Sequence, residues 1–337
     1  MSNPLNWGII ATGGIARSFA EGVARSKHSR IVAAASRTQE SADKFTREMG
    51  IARAFGTYDA LLADAEVQAV YIATPHPQHV EWIIKAARAG KHVLCEKPIS
   101  LTQAEALPAV EACRAAKVLL MEAFMYRCHP QTAKIVDIIR SGTLGRIGLV
   151  QAAFGFANPF DATNRFWNKE LGGGGILDVG CYPVSFSRLI AGADVGQPFA
   201  NPVAVSGAVN LHPQTGVDVW AAATLQFASG MVAQVSTSIA VTQDNCARVY
   251  GTKGWLHVPQ PWIPTKESGT AKFALYHGAN PVAEEILVET GNWLYGLEAD
   301  AFAQALAEGK RDVPQMSVAD TLGNMAVLDA WRACPAR

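Results

Sequence analysis

No stretch of the 337-residue sequence is long and apolar enough to cross a bilayer. The longest apolar runs, such as Ala69–Ala73 and Val118–Met121, have the length of buried strands instead. Charge is sparse and balanced. The 29 basic and 29 acidic residues cancel, which leaves no positive field for a polyanion. Neither nucleic acid nor a membrane is therefore expected as a partner. The six cysteines (Cys95, Cys113, Cys128, Cys181, Cys246 and Cys334) form no CxxC pair and no Cys/His cluster. That scatter argues against a disulfide framework and against structural zinc, so no metal is expected. The opening Met1-Ser2-Asn3-Pro4-Leu5-Asn6-Trp7 lacks the basic and apolar regions of a secretion signal, and the expected compartment is the reducing cytoplasm. No short repeat or low-complexity tract is visible.

What is present is an ordinary globular composition, 49% apolar and 17% charged, in a chain long enough for two domains. The first third alternates short apolar runs with helical stretches. Strand-like runs at Trp7–Ala11, Ile31–Ser36, Ala69–Ala73, 91–95 and Val118–Met121 are separated by helical patterns near 15–26, 40–49, 78–89 and 102–117. Strands apolar throughout and separated by helices imply a parallel sheet covered on both faces. Right-handed crossovers make it doubly wound, with ligands at the carboxyl ends of the strands. The loops after Ala11, Ser36, Ala73, Cys95 and Met121 are expected to share one rim.

Ala11-Thr12-Gly13-Gly14-Ile15-Ala16 matches the G-x-G-x-x-G/A fingerprint with alanine in place of the first glycine. Such a string also describes any tight strand-to-helix turn. Its place after the first strand and before the first helix favours a pyrophosphate site, because a helix N-terminus offers unpaired amides. At the end of the second strand an acid would hold the ribose hydroxyls of NAD. Here Ser36-Arg37-Thr38 supplies a hydroxyl and a guanidinium suited to a 2′-phosphate, so NADP is the expected cofactor, with NAD as the alternative.

Three further strings carry a resemblance: Thr74-Pro75-His76-Pro77-Gln78-His79, then Gly90-Lys91-His92-Val93-Leu94-Cys95-Glu96-Lys97-Pro98, and Gly172-Gly173-Gly174-Gly175-Ile176-Leu177-Asp178-Val179-Gly180-Cys181-Tyr182. Together they resemble the glucose–fructose oxidoreductase / inositol dehydrogenase (Gfo/Idh/MocA) family over nearly the whole chain. Within it, His76-Pro77-Gln78-His79, Met121-Glu122-Ala123 with Arg127, and Tyr182 are similar to the dimeric trans-dihydrodiol dehydrogenase / NADP-dependent D-xylose dehydrogenase branch. The resemblance implies an α/β protein: an N-terminal Rossmann domain over residues 1–122 and a substrate-binding and oligomerisation domain over 123–337, built on a large, mostly antiparallel open sheet. Strand-like runs near 146–157, 202–210, 217–227, 231–240, 245–250, 254–258, 272–276 and 284–288 agree, as does a hairpin signal at Ala228-Ser229-Gly230. Helices are expected at about 295–308 and 317–332. The resemblance also implies a homodimer or higher homo-oligomer assembled through that sheet.

Hydride transfer from an alcohol needs a base for the hydroxyl proton and a rigidly held substrate. The resemblance makes Lys97 catalytic, and Pro98 after it restricts its backbone and can take a cis bond. Asp178 and Tyr182 are four residues apart in an expected helix, which puts both on one face. Tyrosine stands at 182 where most of the family has histidine. An ordinary tyrosine pKa of about 10 is high for a base, and a neighbouring lysine cation lowers it. Tyr182 is thus the expected proton carrier with Lys97 as its electrostatic partner and Asp178 as orienting group or substrate ligand. Lys97 as the proton carrier is the competing assignment.

His79 and Glu96 are expected to support the cofactor or orient the lysine, and the resemblance places Arg127 near the nicotinamide and Trp167 along the cofactor cleft. Thr74, Pro75 and His76 complete the cofactor loop. The glycines at 172–175 are expected to let backbone meet cofactor or substrate closely. Phe154, Phe156, Trp262 and Trp293 are candidates for an aromatic wall against a sugar ring or cyclic diol. Met125 replaces a tryptophan frequent in the dihydrodiol branch, which softens the pocket and disfavours aromatic diols. The expected activity is therefore oxidation of an aldopyranose to a lactone, or of a cyclic vicinal diol. The alternatives are an NADPH-dependent reductase of a carbonyl or dicarbonyl sugar and a non-catalytic NADP-binding sensor.

Overall fold

The computed structural model describes residues 3–336, which fall into two compact units. In the first, β1 (Leu5–Ile10), α1 (Gly14–Val23), β2 (Ser29–Ala35), α2 (Gln39–Met49), β3 (Arg53–Phe55), α3 (Tyr58–Ala63), β4 (Ala69–Ile72), α4 (His79–Arg88), β5 (His92–Glu96), α5 (Gln103–Ala116) and β6 (Leu120–Ala123) follow one another. All six strands are parallel, in the order β3-β2-β1-β4-β5-β6. This is a doubly wound sheet whose order reverses between β1 and β4, and their carboxyl ends open the crevice where such sheets bind ligands.

The second unit contains α6 (Pro130–Arg140), β7 (Ile147–Gly155), α7 (Cys181–Asp194), β8 (Pro202–Leu211), β9 (Asp218–Phe227), β10 (Val232–Ser238), β11 (Ala247–Gly251), β12 (Gly254–Val258), β13 (Gly269–His277) and β14 (Glu284–Thr290). Its eight-stranded sheet runs β14-β13-β12-β11-β7-β10-β9-β8. Every pairing is antiparallel except β7 with β10. Burial alternates along β9, so one face is covered and the other open. Trp220 and Val203 are exposed, and Tyr250, Trp255 and Tyr276 stack across neighbouring strands.

α8 (Leu294–Ala307) returns to the first unit, and α9 (Val318–Arg332) straddles the division at Thr321. The first compact unit thus extends past the expected boundary at 122/123. The first unit runs to His129 and takes in Thr265–Ser268 and Gly291–Thr321. Packing explains the return. Phe302 of α8 lies 5.1 Å from the buried Trp7 ring, which meets Phe19 at 5.5 Å. Gly22 of α1 faces the Gly296 backbone so closely that an added Cβ would sit 2.7 Å from its nitrogen. The Ser26 hydroxyl also donates to Asp300.

The expected strands and helices form, with shifted ends. The sixth strand begins at Leu120 rather than Val118, because Lys117 caps α5 in the left-handed region (φ 56°) and Val118 N–H still bonds to Cys113. β3, α3 and α6 lie outside the sequence expectations. β3 is a three-residue edge strand, too short to show periodicity. Among the described residues no helix is long and apolar enough to cross a membrane, and no cluster of His, Cys, Asp or Glu is arranged to hold a metal.

Candidate active site

In the first unit the cofactor-loop residues gather on the carboxyl edge of the parallel sheet. Ala11 leaves β1 with φ 74°, a left-handed conformation that favours glycine, so alanine here adopts the tight turn. Thr12 Oγ1 donates to Ser36 Oγ at 3.1 Å, tying the turn after β1 to the end of β2. Gly13 caps α1 without a side-chain hydrogen bond, no acid stands in the first turn of α1, and the space beside Gly13 and Gly14 is open. The amides of Gly14 and Ile15 thus form an anion cradle. Thr38 is turned to its own helix, accepting from Ser41 N–H as the α2 cap. Arg37 is exposed, and its guanidinium has no ion pair or hydrogen bond among the described residues.

The β4 and β5 loops are locked to each other. His79 is fully buried, with Nδ1 at 2.9 Å from Pro98 O and Nε2 at 2.9 Å from Thr74 O. Two carbonyl partners favour a proton on both nitrogens, yet burial dominates and pulls its pKa down to about 4. Thr74 Oγ1 is buried with no hydrogen-bond partner among the described residues, an orphan group at the mouth of the crevice. Pro75 precedes a 3-10 turn that begins at His76, whose ring meets His79 at 5.7 Å.

Glu96 accepts a hydrogen bond from Tyr71 and, at 3.3 Å, from the Lys97 amide. The Lys97–Pro98 peptide is cis. Behind this loop Glu298 of α8 is fully buried, with neither carboxylate oxygen hydrogen-bonded among the described residues. Burial and the neighbouring Glu96 charge push its pKa well up, so it is held neutral. Glu122 of β6 accepts the Ile99 amide at 2.9 Å and fixes the far side of the loop.

Arg127, expected beside the nicotinamide, is engaged inside this unit: it pairs with Asp320 at 2.6 Å and donates to Gln315 O at 3.0 Å. Both side chains are buried. Met125 is buried in the same 3-10 turn.

In the second unit Asp178 and Tyr182 are both buried, but not on one regular helix. Ile176–Gly180 forms a π turn, and α7 starts only at Cys181. The 3.6-residue spacing that would align them is broken at that junction; such turns recur at functional sites. Asp178 receives Arg165 Nη1 at 2.9 Å. Tyr182 is framed by Phe154 at 5.3 Å and Trp262 at 5.9 Å, and these two rings stack on each other at 5.9 Å. Trp262 Nε1 donates to Ala153 O, which pins the wall to β7.

Phe154 and Trp262 stack beside Tyr182, while the other two aromatic candidates have partners of their own. Phe156 packs against Phe166 and a separate cluster of Trp167, Val217, Val219 and Ile239. Trp167, expected along the cofactor cleft, is buried there with Nε1 donating to Pro159 O. Trp293 belongs to the first unit, where Arg25 lies 4.9 Å over its ring.

The glycine run approaches the protein's own backbone. A Cβ at Gly173 would fall within 2.8 Å of the carbonyls of Arg165, Phe166 and Asn168. Gly174 has φ 109°, and a Cβ there would meet Asp218 Oδ1 at 2.2 Å. Asp218 in turn accepts Ile176 N–H at 2.6 Å, so this carboxylate from β9 seats the π turn. Burial raises its pKa to about 7. Arg165, Asp218, Tyr71 and Asp320 are the partners that sequence reasoning missed; no motif marks them, because each comes from a separate part of the chain.

Comparison with known proteins agrees with this arrangement in both units. Residues 5–124 match an oxidoreductase family with an NAD-binding Rossmann fold, and residues 132–257 match the GFO/IDH/MocA C-terminal domain. A D-xylose 1-dehydrogenase (NADP(+)) of Haloferax volcanii is 34% identical over 96% of this chain and 95% of its own. A trans-1,2-dihydrobenzene-1,2-diol dehydrogenase of Mus musculus is 36% identical over 78% of this chain and 77% of its own. Among solved structures, a 3-ketoreductase of Actinomadura kijaniata in complex with TDP-benzene and NADP superimposes with a TM-score of 0.84 at 28% identity, covering 99% of this chain and 98% of that one. With matches in both domains and a relative aligned along nearly its full length, the chain belongs to the GFO/IDH/MocA oxidoreductase family.

Proposed function

We propose that this protein is an NADP-preferring dehydrogenase of CH–OH groups, oxidising an aldopyranose to its lactone. The observation that carries the reading is the rim of the parallel sheet: the Ala11–Gly14 turn, the exposed Arg37 and the Glu96-Lys97-Pro98 loop all leave its carboxyl edge. The residues present fit NADP. The open α1 amides suit the pyrophosphate, Arg37 and Ser36 suit the 2′-phosphate, and the orphan Thr74 hydroxyl is a donor awaiting an acceptor. When bound, the nicotinamide supplies the acceptor for the carbon-bound hydrogen.

The chain's own residues handle the proton. Tyr182 takes it from the substrate hydroxyl, Lys97 stabilises the resulting phenolate, and Asp178 holds an adjacent hydroxyl, its charge steadied by Arg165. Phe154 and Trp262 offer ring faces to the apolar side of a sugar. Sugar as the substrate class is supported by the full-length likeness to the NADP-dependent xylose dehydrogenase. The test is absorbance at 340 nm with NADP and NAD against a panel of aldoses and cyclic diols. NADP reduction by an aldose is the expected result; no turnover alongside tight NADP binding would favour the sensor reading. A second reading, reduction of a keto sugar, is favoured by the 3-ketoreductase likeness and is separated by supplying NADPH with carbonyl substrates. The exposed face carrying Val203, Trp220 and Leu287 is the proposed oligomer contact, which light scattering tests.

A further inference from the structure

The first unit holds a second recess at the opposite edge of its sheet. It lies at the amino ends of β5 and β6 and has a volume of about 660 Å³, within the range of small-molecule sites. Its wall is apolar, built from Val110 and Cys113 of α5, Val118 and Leu120 around the start of β6, Leu306 of α8 and Val318 of α9.

The rim is cationic. Arg114 and Lys117 close α5, and Lys310 and Arg311 follow α8. Arg114 is paired with Glu111 and Lys310 with Glu308. Lys117 and Arg311 have no such partner among the described residues. Asp312, the acid of the lining, accepts Val318 N–H at 3.0 Å, and burial raises its pKa.

His92 adds a directed donor. Leu119 N–H donates to His92 Nδ1 at 2.9 Å, so a neutral ring must carry its proton on Nε2. Burial lowers the His92 pKa and keeps the ring neutral. Its Nε2–H has no acceptor among the described residues, and the side chain lines the recess.

We propose that this recess binds a small amphipathic carboxylate, its head held by Arg311, Lys117 and His92 Nε2–H and its chain laid along the apolar wall. A carboxylate offers two acceptor oxygens to a guanidinium and an imidazole N–H together. A small hydrophilic anion lacks the wall contact, and an amphipathic ammonium is repelled by the rim.

Isothermal titration of the full chain with octanoate, acetate and octylammonium tests this. Saturable octanoate binding is expected, with acetate and octylammonium each weaker. The charge-reversed double variant Lys117→Glu/Arg311→Glu, at exposed positions that leave the core intact, should weaken octanoate by at least about tenfold, equivalent to about 1.4 kcal/mol. Saturating NADP should leave the titration unchanged, because the recess is at the other end of the strands. Absence of saturable octanoate binding, equal affinity in the charge-reversed protein, or competition by NADP would each overturn the proposal.

Discussion

The Arg165 guanidinium lies 2.9 Å from the Asp178 carboxylate, the first side chain 48% exposed and the second 6%. A half-exposed cation thus steadies a buried acid at the π turn. Replacing it by alanine removes one of the charges that stabilise ionised Asp178. Arg165→Ala is expected to lower kcat/KM about tenfold, the scale of one charge-assisted hydrogen bond, with little change in melting temperature. Steady-state kinetics beside a thermal melt check this; an unchanged kcat/KM sinks the role given to the pair.

Lys97→Met and Tyr182→Phe separate proton handling from cofactor binding. Both variants are expected to bind NADP normally by fluorescence titration while losing about 10²–10⁴-fold in turnover. Full turnover in the phenylalanine variant would transfer the proton to Lys97.

Arg37 is exposed and its guanidinium has no ion pair or hydrogen bond among the described residues, so its removal leaves no buried group unsatisfied. Arg37→Ala should raise the Kd for NADP by about 10–100-fold, the value of a charged hydrogen bond, and leave the Kd for NAD nearly unchanged. Equal losses for both cofactors would mean that Arg37 does not read the 2′-phosphate.

Ala11 is held at φ 74°, where an L side chain costs about 1–2 kcal/mol. Ala11→Gly relieves that strain and raises the entropy of the unfolded chain, for a net stabilisation of about 0.5–1 kcal/mol in urea denaturation. A destabilised variant would show that the methyl group packs usefully in the turn.

Asp218 titrates at about 7 in the folded protein, above its ordinary value of 3.8. A raised acid contributes stability that is complete below its unfolded pKa and is lost as pH climbs through the folded one. Stability should therefore fall between about pH 4 and pH 7, by up to about 4 kcal/mol from this residue. Asp218→Asn keeps an oxygen for Ile176 N–H and should flatten that slope in melts from pH 4 to 8.

The parts of this molecule that are legible in the sequence are those encoded locally. The βα alternation, the Ala11–Gly14 turn, the Glu96-Lys97-Pro98 loop and the second-domain strands are written in contiguous residues, and each forms close to where it is read. Illegible were the contacts made at long range. Asp218 reaches Ile176 across 42 positions, Arg127 reaches Asp320 across 193, and no periodicity carries such pairings. The π turn was hidden too, since its extra residue breaks the helical period by which Asp178 and Tyr182 were aligned. Aromatic identity alone did not distinguish Phe154 and Trp262, which frame Tyr182, from Phe156, which packs against Phe166 and a separate cluster.

The return of α8 to cover α1 has a consequence for synthesis. The unit that begins the chain is finished only by Gly291–Thr321, after roughly 160 intervening residues. At about 5–20 residues per second, the ribosome takes some ten to thirty seconds over that interval. Throughout it, the face of Trp7 that Phe302 will cover stands open on the nascent protein. A fragment ending at His129 is in that same condition permanently, with the face of Trp7 that α8 covers left open to solvent.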